Sequence, residues 1–303
     1  MECKEIKASG AGAKAAPAKK KLTKKQINQI HAWVRVFVQL MFFIFLPSAY
    51  SSAFAGIKYM FTKLGAGEVI EVTAFVKVLL LLLIYTVVFG RFFCGFACAF
   101  GSLGDWVYTF AHWAAKKRKK KMPALPEKLR DALPSLKYAV LAAILIMCFM
   151  GVYGNLSGTS PWDVFSMLHA FNFRFGKYAV GIVLLVLIVV GMAFEARFFC
   201  KFFCPMGAVF SLMPVLTPFS LRRNRSACLK KCSACSKVCP SKIGLPNDGA
   251  LAVEGDCFMC GKCAGVCPKT NIHCGAGRIQ GDAYWFTAVR AVLLAVLMIV
   301  MGV

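Results

Sequence analysis

Eight of the fifteen cysteines stand in two runs whose spacing belongs to metal-ligand chemistry. The first run is Cys228, Cys232, Cys235 and Cys239, followed by Pro240; the second is Cys257, Cys260, Cys263 and Cys267, followed by Pro268. The second run has the spacing of a bacterial [4Fe–4S] site, and the first departs from it by one extra residue between its first two cysteines. Three thiolates so close in the chain wrap three corners of a cubane, while the fourth, next to proline, turns away to the other cluster. That rule gives Cys228, Cys232, Cys235 and Cys267 to one cluster and Cys257, Cys260, Cys263 and Cys239 to a second. Zinc fits poorly, because its sites set two Cys-x2-Cys knuckles well apart. Covalent haem needs a Cys-x2-Cys-His sequence that the chain lacks. Adjacent clusters with no substrate pocket implied between them read as an electron relay.

Four further cysteines come as two Cys-x3-Cys pairs, Cys94 with Cys98 and Cys200 with Cys204. Their contexts align at an offset of 106 residues: Arg91-Phe-Phe-Cys-Gly-Phe-Ala-Cys-Ala-Phe-Gly101 against Arg197-Phe-Phe-Cys-Lys-Phe-Phe-Cys-Pro-Met-Gly207, seven of eleven positions being identical. On a helix, residues four apart share a face, so each pair is expected to present two sulfurs together. Two copies related by a pseudo-twofold axis supply four thiolates to one metal or redox centre. Close packing of small residues such as Gly95, Ala97 and Gly101 is the plainer explanation, but it does not account for both cysteines recurring. Cys3, Cys148 and Cys274 are left over. Thiolates kept for metal indicate a reducing compartment.

These ligands must be held by apolar elements. Of the 303 residues 59% are hydrophobic, above the 45–50% usual of soluble domains. Apolar runs fall at 33–54, 74–91, 138–154, 178–196 and 284–303, several near the ~20 residues that a bilayer core demands. Residues 92–114 and 198–219 are apolar but broken by glycine or proline, as in short or bent helices. The repeating unit is span, loop, span, Cys-x3-Cys, used twice in parallel. Ala53-Phe54-Ala55 resembles a signal-peptidase site, but the repeat needs the helix before it, so that helix is expected to be retained. Ser160 and Pro161 read as the start of a short outer helix.

The net charge is +24. Lysine and arginine number eight in residues 1–32, nine in 115–137 and five in 221–231, against two each in the loops 51–73 and 155–177. Such a bias puts the basic segments on the cytoplasmic side. The run 116–121 joins two spans, so nucleic acid is not expected as a partner. The expected fold is thus an α-helical membrane protein with two parallel repeats, a cytoplasmic ferredoxin-like domain holding two [4Fe–4S] clusters, and a C-terminal span. Its segments are a disordered basic arm (1–32), repeat one (33–114), a basic loop (115–137), repeat two (138–220), the ferredoxin-like domain (221–282) and the last span (283–303). Arg290 in that span is expected to snorkel to the cytoplasmic surface.

Asp105, a carboxylate in apolar surroundings, is the candidate proton acceptor for a quinol. His31, His112, His169 and His273 could ligate haem b or bind quinone, but no pair recurs between the repeats, so interface or loop positions are expected. The two Cys-x3-Cys motifs followed by the twin-cluster segment resemble the membrane iron–sulfur subunits associated with periplasmic nitrate reductase (NapH type). Nitrous-oxide-reductase accessory proteins (NosR type) and cytochrome-oxidase assembly proteins (CcoG type) share the pattern. In that family the membrane motif is usually Cys-x3-Cys-Pro, which Cys204-Pro205 obeys and Cys98-Ala99 does not. The resemblance implies a multi-pass protein of the bacterial inner membrane, relaying electrons between the quinone pool and other redox subunits of a membrane complex. Its cofactors would be two [4Fe–4S] clusters, a further iron–sulfur centre at the Cys-x3-Cys pairs, and quinone. The other function class is a metal-handling assembly factor whose Cys-x3-Cys pairs bind and reduce copper.

Overall fold

The computed structural model describes residues 24–302, apart from 121, 124–125, 127, 129–131, 157–158, 170, 172–175, 214–219, 230–231, 248–254, 277–278 and 282. Most of the basic arm, part of the basic loop and Cys3 therefore lie outside the described residues. The fold is mostly helical.

Helix α1 (Lys24–Phe45) starts inside the stretch assigned to the arm and stops before Pro47. A residue ahead of proline is pushed out of the helical region, so the apolar run 33–54 is two helices rather than one. Helix α2 (Ala49–Ala66) turns back and packs against α3 (Ala74–Phe89). A π-helical turn (Phe93–Ala97) follows, then α4 (Ala99–Lys117). The second half runs through α5 (Leu136–Phe149), the short α6 (Pro161–His169), α7 (Ala179–Phe194), the helical turn α8 (Phe198–Phe202) and α9 (Pro205–Leu212). Helix α6 begins at Pro161, where the sequence places it, and turns Trp162, Val164 and Met167 inward. Ala99 and Pro205, which open α4 and α9, stand 106 positions apart, as the two motifs do.

Among the described residues one helix is, by length and composition, long and apolar enough to cross a membrane, over Gln26–Phe45. Four apolar helical stretches are shorter: Ala74–Phe89, Leu133–Phe149, Ala179–Phe194 and Trp285–Val300. Phe54, Leu82, Phe100, Phe199 and Phe210 are almost wholly buried and build the core between the halves.

The cysteine-rich segment adds a small antiparallel sheet, β1 (Leu221–Arg223), β2 (Ile272–Ala276) and β3 (Ile279–Gly281), with Leu221 opposite Cys274 and Cys274 opposite Gly281. Two helical turns, α10 (Ala234–Val238) and α11 (Lys262–Val266), pack on each other. The last helix, α12 (Ala283–Val300), returns along α1 and α3. Arg290 does not snorkel outward. It is 2% exposed and donates to Sγ of Cys274 at 2.8 Å, while its carbonyl accepts from the Tyr85 hydroxyl. A buried guanidinium needs partners more than it needs water, and the sheet supplies one.

Candidate metal centres

In the cysteine-rich segment, Cys228, Cys232, Cys235 and Cys267 line one small cavity. Cys239, Cys257, Cys260 and Cys263 line a second, and Cys235 stands on the wall towards the first. The helical turns α10 and α11 each project their third cysteine inward. The fourth cysteine of each run, Cys239 or Cys267, has extended backbone and ends its turn, which releases it towards the other cavity. N–H groups aim at the first set: Arg223 Nη1 lies 3.1 Å from Sγ of Cys235, and the Asn271 amide 3.3 Å from Sγ of Cys267. Four sulfurs around each cavity, with donors directed at them, fit a [4Fe–4S] cluster in each. In the second set burial pushes the Cys257 thiol up to about 12. Burial acts the same way on Cys260, but Arg35, Lys262 and Arg197 outweigh it and hold that thiol below its ordinary range.

Cys94, Cys98, Cys200 and Cys204 are all at most 5% exposed. They come together, Cys200 having Cys98, Cys204 and Cys94 all within electrostatic reach. The expected geometry of two sulfurs on one helix face is not what brings them there. Cys98 and Cys204 are extended residues that cap the next helix. Each amide reaches back five residues, Cys98 to the Phe93 carbonyl (2.8 Å) and Cys204 to that of Phe199 (2.9 Å). The chain thus breaks at the second cysteine, whose sulfur meets the free amides of a helix start; the Gly207 amide is 3.2 Å from Sγ of Cys204. Helix N-termini favour negative charge. The Tyr50 hydroxyl lies 3.8 Å from Sγ of Cys204.

Two arginines that served above only to align the repeats prove to be part of the centre. Arg197, fully buried, crosses into the first half, where it donates to the carbonyls of Cys94 and Gly95 (2.7 Å for the latter) and forms an ion pair with Asp105 at 2.6 Å. Arg91, 1% exposed, crosses the other way, to Ser211 at 3.1 Å and Asp256 at 2.9 Å. Ser211 stands 106 positions after Asp105, so the two contacts are counterparts. Among the described residues Nε and Nη2 of Arg91 find no acceptor, although Cys94, Cys200 and Cys204 lie within its electrostatic reach. Four buried cysteines within electrostatic reach of one another, helix starts and a guanidinium with unused donors suit a net-negative group, and an iron–sulfur cluster is such a group. Among the described residues no three His, Cys, Asp or Glu side chains have the spacing of a single-ion site.

The loop between Cys257 and Cys260 sits directly over this centre. Phe258, 3% exposed, lies between the two guanidinium groups, 4.7 Å from that of Arg91 and 5.1 Å from that of Arg197. A Cβ on Gly95 would run into the Phe258 carbonyl, so glycine there lets the loop seat. Met259 presses on Gly90, whose φ of +69° also calls for glycine.

Asp105 is 5% exposed, and its oxygens are taken by Arg197, Gln39 (3.0 Å) and Lys262 (3.1 Å), with Arg35 at 3.7 Å. That arrangement makes it an anchor for cations. Of the histidines, His31 lines a cavity beside α1 and α4, His112 packs on Tyr108, His169 packs on Phe43 and Phe165, and His273 lies in β2. The sequence reading passed over Arg35, Gln39 and Lys262. The signal for the first two was an arginine and a glutamine four apart inside an apolar run.

A family described as a 4Fe-4S binding domain matches residues 72–121 and 179–223. Those stretches hold the Cys-x3-Cys pairs. An uncharacterised protein of Methanocaldococcus jannaschii is 27% identical over 232 residues, 76% of this chain and 88% of that one. The ferredoxin-type protein NapH of Haemophilus influenzae is 25% identical over 218 residues, 68% of this chain and 70% of its own. The methylamine utilization ferredoxin-type protein MauN of Paracoccus denitrificans is 30% identical over 207 residues, 63% of this chain and 65% of its own. No solved structure matches the chain.

Proposed function

We propose, for a chain that belongs to the NapH/NosR-type family of ferredoxin-like membrane iron–sulfur proteins, that it relays electrons between the quinone pool and a partner redox protein. Cys228, Cys232, Cys235 and Cys267 hold one [4Fe–4S] cluster and Cys239, Cys257, Cys260 and Cys263 the other. Cys94, Cys98, Cys200 and Cys204 hold a further iron–sulfur centre between two parallel membrane repeats. When bound, such clusters supply one-electron chemistry. The protein's own part is to seat them close together, keep water away and set the charge around each.

The observation that carries this reading is the seat of Phe258. It puts the Cys257–Cys260 loop against the four-cysteine pocket, with Arg197 in electrostatic reach of both Cys200 and Cys260. A relay needs its centres in line and near each other, and one buried loop joins them. The basic-residue bias supports a multi-pass arrangement in an inner membrane, with the ferredoxin-like segment inside. Copper handling is the second class, and a mononuclear copper site wants ligands at single-ion spacing. Among the described residues no three His, Cys, Asp or Glu side chains are grouped to hold a single ion.

The test is iron counting on anaerobically purified protein. Three cubanes hold about twelve iron atoms per chain, and the pair Cys200→Ser with Cys204→Ser should leave about eight with the ferredoxin-type electron paramagnetic resonance unchanged. Eight in the wild type would refute the third centre, and bound copper in its place would favour the assembly role.

A further inference from the structure

A cavity of about 360 Å³ opens between α1, α4, α11 and the last helix. Its α1 wall carries Asn28, His31, Arg35 and Gln39, residues three or four apart and so on one face of the helix. Trp106 and Asp105 of α4 stand opposite, and Cys260 and Lys262 close the end. The rest is mostly apolar, with Val34, Val36, Phe96, Val238 and Val266. The lining is thus greasy along its length and charged at one end, where a cysteine of the second cluster set is exposed to it.

We infer that this cavity takes the headgroup of a quinol, with His31 as its proton acceptor and the iron–sulfur centre at Cys260 as its electron acceptor. The inference rests on the relay reading above and gives that reading a place for its membrane substrate. Three observations carry it. First, α1 is the helix long and apolar enough to cross a membrane, only 11% of its apolar window is buried, and Trp33, Phe37 and Leu40 face outward. A ligand with an isoprenoid tail can enter from lipid past Val34 and Val36, which line the cavity and are each 39% exposed. Second, Trp106 Nε1 and Arg35 Nε are buried donors that meet no acceptor among the described residues. Buried donors left unmade are costly, and a ring carbonyl or hydroxyl oxygen satisfies them. Third, among the side chains lining the cavity His31 is of the type that most often serves as a general base. The Asp105 oxygens are held by Arg197, Gln39 and Lys262, Arg35 stays charged, and Cys260 belongs to the cluster.

The chemistry balances as follows. Oxidising one quinol to quinone breaks two O–H bonds and frees two protons and two electrons. The electrons leave one at a time to the centre at Cys260 and on to a one-electron acceptor, the partner redox protein. The protons leave through His31, which hands the first to water at the cavity mouth before it takes the second.

The fluorescent quinol analogue 2-heptyl-4-hydroxyquinoline N-oxide tests the site by quenching titration of the full-length, cluster-loaded protein. Saturable quenching is expected for the wild type. Thr109→Trp, which fills the cavity from α4, should weaken binding about tenfold, a loss of ~1.4 kcal/mol. His31→Gln should bind within about threefold of wild type yet slow cluster reduction by duroquinol about a hundredfold or more, the scale of a lost general base. Iron content and cluster spectra must match wild type; Val36→Trp replaces Thr109→Trp if that variant does not fold. If duroquinol reduces the clusters but the filled variants bind and react like wild type, the cavity is not the site, and the relay reading stands. If the wild type neither binds the analogue nor is reduced by duroquinol, the quinone link itself falls, and this inference with it.

Discussion

The two halves of the pseudo-symmetric centre make the same contact with different chemistry. In each, an arginine crosses to the other half's second helix. Arg197 finds a carboxylate of that half, Asp105, while Arg91 finds only the hydroxyl of Ser211 and borrows its carboxylate, Asp256, from the ferredoxin-like segment. Lys137 joins that borrowed carboxylate at 2.8 Å, and Ser211 also donates to it at 2.8 Å. On the first half the segment contributes a cation instead, Lys262 to Asp105. The segment is therefore docked by a cation on one side and an anion on the other. Turned about the pseudo-axis, it would set like charges together. The two sockets are near-equal, and the Asp105/Ser211 difference favours one way round for the ferredoxin-like segment.

That comparison breaks most visibly at Asp105. Asp105→Ala leaves Arg197 buried and without its carboxylate. Removing one partner of a buried pair costs about 3–5 kcal/mol, which denaturant unfolding in detergent reads directly. Asp256→Ala leaves Arg91 and Lys137 buried too, but the carboxylate it removes is 45% exposed, so the loss should be smaller, about 1–3 kcal/mol, the scale of buried donors left unsatisfied. Equal losses would mean that the halves are not as different as their partners suggest.

Gly95→Ala stands next in size. The added methyl meets the Phe258 carbonyl, and overpacking of this kind costs about 1–3 kcal/mol. The counterpart position in the second half is Lys201, whose amine turns away to Glu195 at 2.9 Å. Lys201→Ala should therefore leave the loop seated, with cluster spectra like wild type. A disturbed cluster spectrum for Lys201→Ala would show that the loop leans on both halves.

How much of this the chain discloses depends on how local the signal is. The cysteine spacing is local; Cys228, Cys232, Cys235 and Cys267 line one cavity, and Cys239, Cys257, Cys260 and Cys263, with Cys235, line another. The arginines are local too, identical in both motifs, yet nothing near them in sequence says that they cross between the halves. Asp105 meets Arg197 across 92 residues and Lys262 across 157, and no local pattern encodes pairs that distant. A lone apolar-context carboxylate therefore looks like a catalytic group when its partners are out of sight. The breaks at Cys98 and Cys204 divide on this point. Four-residue spacing fits a continuous helix; Pro205 signals the break at Cys204 locally, but Ala99 after Cys98 gives no such signal. Arg290 misled in the opposite sense, because burial against Cys274 competes with snorkelling only once the sheet is in place.

A designed swap sharpens the comparison further. Ser211→Asp gives the second half the carboxylate that the first already has. In an Asp256→Asn background it should restore about 1 kcal/mol, the scale of a charge-assisted hydrogen bond, since Arg91 regains a partner. In the wild-type background it should instead destabilise, because two carboxylates then crowd Arg91 and Lys137. Restoration in both backgrounds would mean that Asp256 does not depend on Arg91.

The smallest effect is the pH dependence of the Asp256 contact. Burial raises this carboxyl's pKa, but the hydrogen bond from Lys137 and the charges of Arg91 and Lys137 outweigh that and hold it below the ordinary carboxylate range. A group depressed in the folded state stabilises above its unfolded pKa, about 3.9 for aspartate, and loses that contribution as pH falls through the folded value. The stability gap between wild type and Asp256→Asn should thus be flat from neutral pH down to about pH 5. It should then narrow below about pH 4, as Asp256 itself takes up a proton. Taking the difference between the two proteins at each pH removes acid effects on the clusters that both share. Added salt should shrink the gap at neutral pH, since Asp256 is half in water and its ion pairs are screened. A gap that grew on acidification would place the Asp256 carboxyl above the ordinary range and contradict its seat beside Arg91 and Lys137.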